Sequence, residues 1–378
     1  MTPTLVDLLD DLRALVECES PSSDLEAVAR SAEVVARVGT ARLGVEPERI
    51  VLDGRTHLRW RLGGGAAPVL LVGHHDTVWP LGSLAARPFS VEDGVLRGPG
   101  CFDMKAGLAM AFHAAAGLDG VTLLVTGDEE LGSPSSRELI EDEARLAEAA
   151  LVLEASADGG ALKTERKGVS LYDVRVTGWA AHAGLEPERG TNATVELARQ
   201  VLAVARLGDA AAGTTVTPTA ARAGTTTNTV PAAGSLAVDV RVRTLAEQDR
   251  VDRAMRALVP VLPGAGVEVR GGPNRPPLEA TASAALFERA RAIAVRLGLP
   301  DLTCAAVGGA SDGNFTAGVG TPTLDGLGAV GGGAHAEDEH VLVDALPGRT
   351  ALLRALLEEL TALVPPTNDV LTSGASRP

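Results

Sequence analysis

The stretch PVLLVGHHDTV, residues 68–78, sets a continuous apolar run against an abrupt polar end. Consecutive apolar residues without alternation read as a strand buried on both faces, the pattern of a parallel sheet covered by helices. In such sheets ligands bind beyond the carboxyl ends of the strands. His74, His75 and Asp76 therefore fall where a site is built.

Reading outward, similar apolar strands occur at 121–126 and 150–153, with a helix-like run from Lys105 to Ala116 between the first two strands. Helical periodicity precedes them at 5–17 and 24–38. This alternation predicts an α/β domain with a doubly covered, mostly parallel sheet. Near Lys167-Gly168 the texture changes, and Tyr172, Val174 and Val176 alternate with polar residues. A helix at 191–206, the stretch TTVTPTA at 214–220, a strand over 235–244, a helix at 245–259 and the strand VEVR at 267–270 follow. That order, β-α-β-β-α-β, is the ferredoxin-like α+β pattern. Helical periodicity resumes at 283–297 and 345–363. The expected organisation is a catalytic domain over 1–168 and 276–365, an inserted domain over 169–275, and a disordered tail over 366–378.

Composition narrows the function classes. The chain has 378 residues and a formal charge of −15, with no Lys/Arg cluster interleaved with aromatics, which argues against nucleic acid as a partner. Cys18, Cys101 and Cys304 are far apart and form no CxxC pair, so neither a disulfide framework nor a thiolate zinc site is indicated. The first helix lacks a basic n-region, and no apolar stretch approaches the roughly 18 to 20 residues that cross a bilayer. The expectation is a cytoplasmic protein with no membrane partner.

Polar residues follow apolar runs at several other places. These are Asp103 in GPGCFDMKAG, Asp128-Glu129-Glu130 after VTLLVTG, and Glu154 after ALVL, with His335 in GGGAHAEDE. Imidazole and carboxylate donors without thiolates form the ligand set of zinc or a similar divalent metal in a hydrolytic site. Three carboxylates beside two histidines suit two metals, because so many anions gathered without cations repel and are costly to bury. Hydrolysis also needs a base that is not a ligand, and consecutive glutamates after a strand point in different directions, one to metal and one to water. His74-x-Asp76 places an imidazole and a carboxylate on one side of an extended segment, so Asp76 is expected to orient the His74 ring.

Taken in order, HHDTV, GPGCFDMKAG, TGDEELGS, the Glu154 strand end, GWAAHAG, TNTVP and GGGAHAEDE resemble the di-zinc amidohydrolase family of glutamate carboxypeptidase, acetylornithine deacetylase and succinyl-diaminopimelate desuccinylase. The resemblance covers nearly the whole chain. It implies that Asp103 bridges two metals, that His74 and Glu154 complete one site, and that Glu130 and His335 complete the other. By the same resemblance Glu129 is the general base, Asp76 the histidine-orienting carboxylate, and the peptide after Asp103 is cis. The inserted domain is similar to a dimerisation and lid domain, which implies a homodimer. Its His182 then reaches the partner's active site to stabilise the oxyanion, Asn228 contacts substrate or oxyanion, and Arg275 grips a substrate carboxylate. Gly309 and Ser311 line the same pocket.

The implied cofactor is a pair of Zn2+ ions, with Co2+ and Mn2+ also suited to nitrogen and oxygen donors. The implied substrate is a small molecule or peptide with a free carboxylate, cleaved at the adjacent amide as in a glutamate carboxypeptidase. Deacylation of an N-acyl amino acid is the alternative. Two remoter readings stay open on the residues alone. Gly309-Ala-Ser-Asp-Gly313 matches G-x-S-x-G, and Asp325 and His335 follow in the order of a serine-hydrolase triad on Ser311. A binding protein that kept the fold without catalysis is the other. His340 rivals His335 as a ligand, Arg241 and Arg243 divide evenly between a solvated face and a substrate role, and Lys163 is a further carboxylate contact.

Overall fold

Strand Val69–His74 is buried at every position and pairs in parallel with Val121–Thr126 on one side and Ala149–Val152 on the other. The computed structural model describes residues 4–63 and 68–362. The tail expected over 366–378 lies outside the described residues. Within them the chain divides into two compact units, the first comprising residues 4–63, 68–162, 285–304 and 319–362, the second Lys163–Ala284 and Ala305–Gly318.

The sheet of the first unit has six strands, in the order Glu48–Leu52, Arg55–Leu62, Val121–Thr126, Val69–His74, Ala149–Val152 and Thr323–Leu324. Its last four strands are parallel, and the first two join them as an antiparallel hairpin edge. That hairpin escapes the sequence reading, although its turn is an Asp-Gly dipeptide. Asp53 and Gly54 both have positive φ, 48° and 78°, as a two-residue type I′ turn requires. Asp93-Gly94 repeats the geometry, with φ of 51° and 76°, between the short strands Ser90–Glu92 and Val95–Arg97.

Helix Ala106–Ala115 is buried along its whole length. Its Phe112 meets Trp60 of the sheet in a T-shaped contact, with ring centroids 5.5 Å apart. Burial of each such side chain stabilises the unit by about 2 kcal/mol. A Cβ at Gly107 would stand 2.1 Å from the carbonyl oxygen of Leu153, so only glycine lets this helix approach the strand end that carries Glu154. A second small antiparallel sheet, in the order Gly331–Gly332, His340–Leu342, Val95–Arg97 and Ser90–Glu92, frames the loop that bears His335.

The second unit holds a four-stranded antiparallel sheet in the order Thr215–Ala223, Ala233–Val242, Gly168–Thr177 and Gly266–Arg275. With helices Ala193–Ala205 and Leu245–Arg256 it completes the β-α-β-β-α-β succession. Tyr172, Val174, Val176, Leu236, Val238, Val240 and Val242 all point into its core, as their alternation predicts. Thr244 caps the second helix by accepting the N–H of Glu247. Residues 305–318, read from sequence as catalytic-domain chain, make their contacts in this unit. The N–H of Lys167 donates to the carbonyl of Val307, and the amide of Asn314 donates to that of Pro276 at 2.7 Å.

Candidate metal centre

His74, Glu129, Glu130 and Glu154 are delivered by strand ends or the turns after them, and Asp103 by the short helical segment Cys101–Lys105. His74 ends its strand, with Nδ1 hydrogen-bonded and Nε2 facing two carboxylates. Nδ1 lies 2.9 Å from the carbonyl oxygen of Asp76. Nε2 lies 3.4 Å from Oδ1 of Asp103 and 3.5 Å from Oε1 of Glu154. On the far side of Asp103, Oδ2 stands 3.2 Å from Nε2 of His335, which is also 3.2 Å from the Glu130 carboxylate. One carboxylate thus faces two imidazoles, one from each of its oxygens.

Potential ligand atoms of His74, Asp103 and Glu130 lie within 4.8 Å of one another, and the same holds for His74, Glu129 and Glu154. Both glutamates of the pair therefore reach the cluster. Asp76 explains their placement, because its two carboxylate oxygens each accept one backbone N–H, from Glu129 and from Glu130, at 3.2 Å. Its relation to His74 differs in detail from the expectation. The acceptor at hydrogen-bond distance from the ring is the main-chain carbonyl of Asp76, with carboxylate Oδ1 farther away at 3.4 Å. The peptide bond between Asp103 and Met104 is cis.

The donor set fits a cation. Nε2 of His74 is buried without a hydrogen-bond partner, a costly state for an imidazole nitrogen walled by carboxylates. The protons tell the same story. Burial opposes charge on His74, but the surrounding carboxylates of Asp103, Asp76 and Glu154 outweigh it and hold the ring's pKa well above its ordinary value. Hydrogen bonds to Asp103 and Glu130 raise His335 to about 10. Burial also opposes ionisation of Asp103, yet the bonds from His335 and His74 hold its carboxyl well below the usual range, whereas burial raises that of Glu130. A cation held here would take the place of imidazole protons and meet four carboxylates already converged, those of Asp103, Glu129, Glu130 and Glu154.

The neighbouring histidines stand apart. His75 is buried, with Nε2 3.0 Å from the carbonyl of Thr56 and Nδ1 3.2 Å from the hydroxyl of Ser31, and burial lowers its pKa to about 4. His340 turns Nδ1 to the carbonyl of Asp338. His57 is a core residue whose Nδ1 accepts the N–H of Gly127. Asp128 accepts from the backbone and hydroxyls of Ser135 and Ser136, so it shapes the turn. Cys101 is fully buried, and burial pushes its thiol pKa upward, away from nucleophilic use.

One contributor has no counterpart in the sequence reading. Glu339, four residues beyond His335, accepts backbone N–H groups from Gly100, Phe102 and Asp103 and the indole N–H of Trp79. The acidic run Glu337-Asp338-Glu339 was visible, but nothing in its spacing tells which member turns inward.

Within the second unit, Ala181–His182 pairs with Thr229–Val230, which brings His182 beside Asn228. His182 is exposed, and its Nδ1 accepts the N–H groups of Gly184 and Leu185 at 3.1 Å. The neutral ring therefore carries its proton on Nε2. Arg275 is buried, 3.3 Å from Asp312 and stacked over Phe315. Gly309 offers its carbonyl to Arg166, and Ser311 is fully buried with its hydroxyl accepting the N–H of Gly313. With Ser311 so enclosed and His335 turned to Asp103 and Glu130, the geometry lends the serine triad no support. Arg241 pairs with Asp239 and Arg243 with Glu165 on the sheet face, while Lys163 lies within strand Leu162–Arg166.

Comparison with known proteins adds the chemistry shared by relatives of this arrangement. The profile of peptidase family M20/M25/M40 matches residues 70–359. Carboxypeptidase G2 of Pseudomonas sp. (strain RS-16) is 35% identical over 320 residues, covering 79% of this chain and 75% of the relative. Succinyl-diaminopimelate desuccinylase of Dechloromonas aromatica (strain RCB) is 28% identical over 360 residues, covering 84% and 90%. Among solved structures, aminopeptidase PepT from Bacillus cereus ATCC 10987 superposes with a TM-score of 0.72 at 21% identity, covering 95% of this chain and 100% of that one.

Proposed function

The chain belongs to peptidase family M20/M25/M40 and is a metal-dependent peptidase, and on that premise we propose that it hydrolyses the amide bond next to a free carboxylate, as a glutamate-type carboxypeptidase. The observation that carries this reading is the Asp103 carboxylate, which presents one oxygen to His74 and the other to His335. That arrangement suits a two-metal centre, with His74, Asp103 and Glu154 on one side and Asp103, Glu130 and His335 on the other. Zinc is the proposed metal. Held by those residues, such ions would supply a water of lowered pKa and polarise the scissile carbonyl.

The remaining steps belong to the chain's own groups. Glu129, buried beside His74 and Glu154, takes the proton of the attacking water and returns it to the leaving amine. Asp76 holds the backbone of Glu129 and Glu130, so base and ligand keep their separate directions. His182 presents Nε2–H to the developing oxyanion, the tautomer its Nδ1 contacts select, and acts across a homodimer formed by the second unit. Asn228 assists it. Arg275 orients the substrate carboxylate, with Asp312 fixing the guanidinium plane, and Gly309 and Ser311 shape the same pocket. Among the described residues no helix is long and apolar enough to cross a membrane. The free cysteines fit a cytoplasmic, reducing setting.

The preference for glutamate derivatives rests on the resemblance of TGDEELGSPSSRELI and GWAAHAGLEPERGTNA to that branch and on the carboxypeptidase relative. Removal of an acyl group from an N-acyl amino acid is the second reading, favoured by the desuccinylase relative. A panel of peptidyl and N-acyl amino acids, assayed before chelation, after it, and after zinc is restored, decides between them. Preferred release of C-terminal glutamate supports the first reading, preferred deacylation the second, and activity that survives complete chelation sinks both.

A further inference from the structure

We propose that Glu339 is the positioning residue of the metal centre, a buried carboxylate that holds the Asp103 loop in the conformation in which Asp103 can serve two metal sites. This rests on the two-metal reading above. Glu339 is only 4% exposed, and its two oxygens take four donors. Oε1 accepts the N–H groups of Phe102 at 2.9 Å and Asp103 at 3.1 Å. Oε2 accepts those of Gly100 at 2.9 Å and the Trp79 indole at 2.7 Å. A carboxylate has about four lone-pair directions, so its capacity is filled.

None of the four donors is cationic. The negative charge is held by oriented N–H dipoles, three of them from one turn of chain, in the manner of an anion-binding nest whose anion comes from the protein itself. Gly100, with φ of 71°, supplies the left-handed residue that turns those N–H groups inward. The neighbours of Glu339 behave differently. Glu337 is 89% exposed and pairs with Arg87, and Asp338 offers its main-chain carbonyl to His340.

Three distant segments meet on this one side chain. Trp79 follows the HHDTV motif, residues 100–103 carry Asp103, and Glu339 closes the loop that begins at His335. The spacing between Asp103 and His335 is therefore set through the Glu339 carboxylate. An amide cannot replace it, because glutamine keeps one accepting oxygen and turns an NH2 group toward two N–H donors.

The test uses Glu339→Gln in the full-length protein, loaded with zinc or cobalt. Free-metal midpoints are read against a competing chelator, with the cobalt absorption spectrum and the melting temperatures of loaded and chelated forms alongside. Supporting groups around metal ligands typically contribute about 10- to 100-fold in affinity. We expect a midpoint shift of that size, an altered cobalt spectrum, a fall in kcat with little change in KM, and a smaller metal-induced rise in melting temperature than in wild type. Partial recovery of the midpoint in Glu339→Asp is expected as well. An unshifted midpoint with an unchanged cobalt spectrum overturns the proposal.

Should Glu339→Gln fail to fold, Trp79→Phe removes one of the four donors and keeps an aromatic ring under Arg87. A weaker shift in the same direction supports the proposal, and a midpoint equal to wild type overturns it. Wild-type protein that takes up no metal overturns the two-metal reading itself, a result obtained before any variant is made.

Discussion

Nε2 of His335 stands 3.2 Å from Oδ2 of Asp103, while the other oxygen of the same carboxylate faces His74 at 3.4 Å. Asp103 stands between the two imidazoles, with one oxygen toward each. Its replacement by asparagine removes the charge shared by both sides and leaves two rings facing an amide. Asp103→Asn is expected to bind less than the full metal complement and to lose on the order of 1000-fold in kcat/KM, equivalent to about 4 kcal/mol. Elemental analysis after dialysis, run beside the kinetic assay, checks both. Full occupancy with near-normal turnover refutes the bridging assignment.

Glu129→Gln preserves size and the backbone bonds that Asp76 makes to the pair. Because the base acts on the water's proton and is not assigned as a ligand, kcat is expected to fall by about 100-fold or more at near-normal metal content. Simultaneous loss of metal would instead make Glu129 a ligand, an outcome its proximity to His74 and Glu154 makes worth measuring.

His182→Ala removes the Nε2–H donor from the short, exposed strand Ala181–His182 of the second unit. The expected effect is a fall in kcat of about 100-fold with metal content unchanged. Action across a dimer has a sharper test, the mixing of His182→Ala with Glu129→Gln. Random subunit exchange gives mixed dimers with one intact site, so about a quarter of wild-type activity should return. No recovery, in a mixture shown to have exchanged, places the histidine's action within its own subunit.

His75 provides a pH test of the fold beside the site. Burial lowers its pKa to about 4 from the ordinary 6.5, so between those values the unfolded chain binds a proton that the folded chain does not. Stability therefore rises with pH across that window and is lost as pH falls from 6.5 toward 4, by up to roughly 3 kcal/mol for this one group. Urea unfolding of the chelated protein at pH 7 and pH 4.5 should show a steeper loss for wild type than for His75→Gln, whose amide can still donate to the Thr56 carbonyl. Equal slopes would mean that another group carries the acid sensitivity.

Much of this was legible in the chain. Buried strands announce themselves as unbroken apolar runs, and the first polar residue after each run marks a strand end. His74, the Glu129-Glu130 pair and Glu154 were therefore placed from local pattern alone, and the alternation of Tyr172, Val174 and Val176 separated the second sheet from the first. The hairpin around Asp53-Gly54 was within reach of the same reasoning, but its strands carry charged residues that mask the period.

What the amino-acid order determined by itself is the set of elements and the chemistry at their ends, because periodicity and strand termination depend on neighbours a few residues away. Tertiary structure alone decided which oxygen of Asp103 meets which imidazole, that the carbonyl of Asp76 takes the ring while its carboxylate takes the Glu129-Glu130 backbone, that Arg275 is paired with Asp312, and that Glu339 turns inward where Glu337 does not. Those outcomes depend on where separate loops converge. A buried acceptor goes to whichever unsatisfied N–H groups the packed fold brings within about 3 Å, and no spacing along the chain encodes that choice.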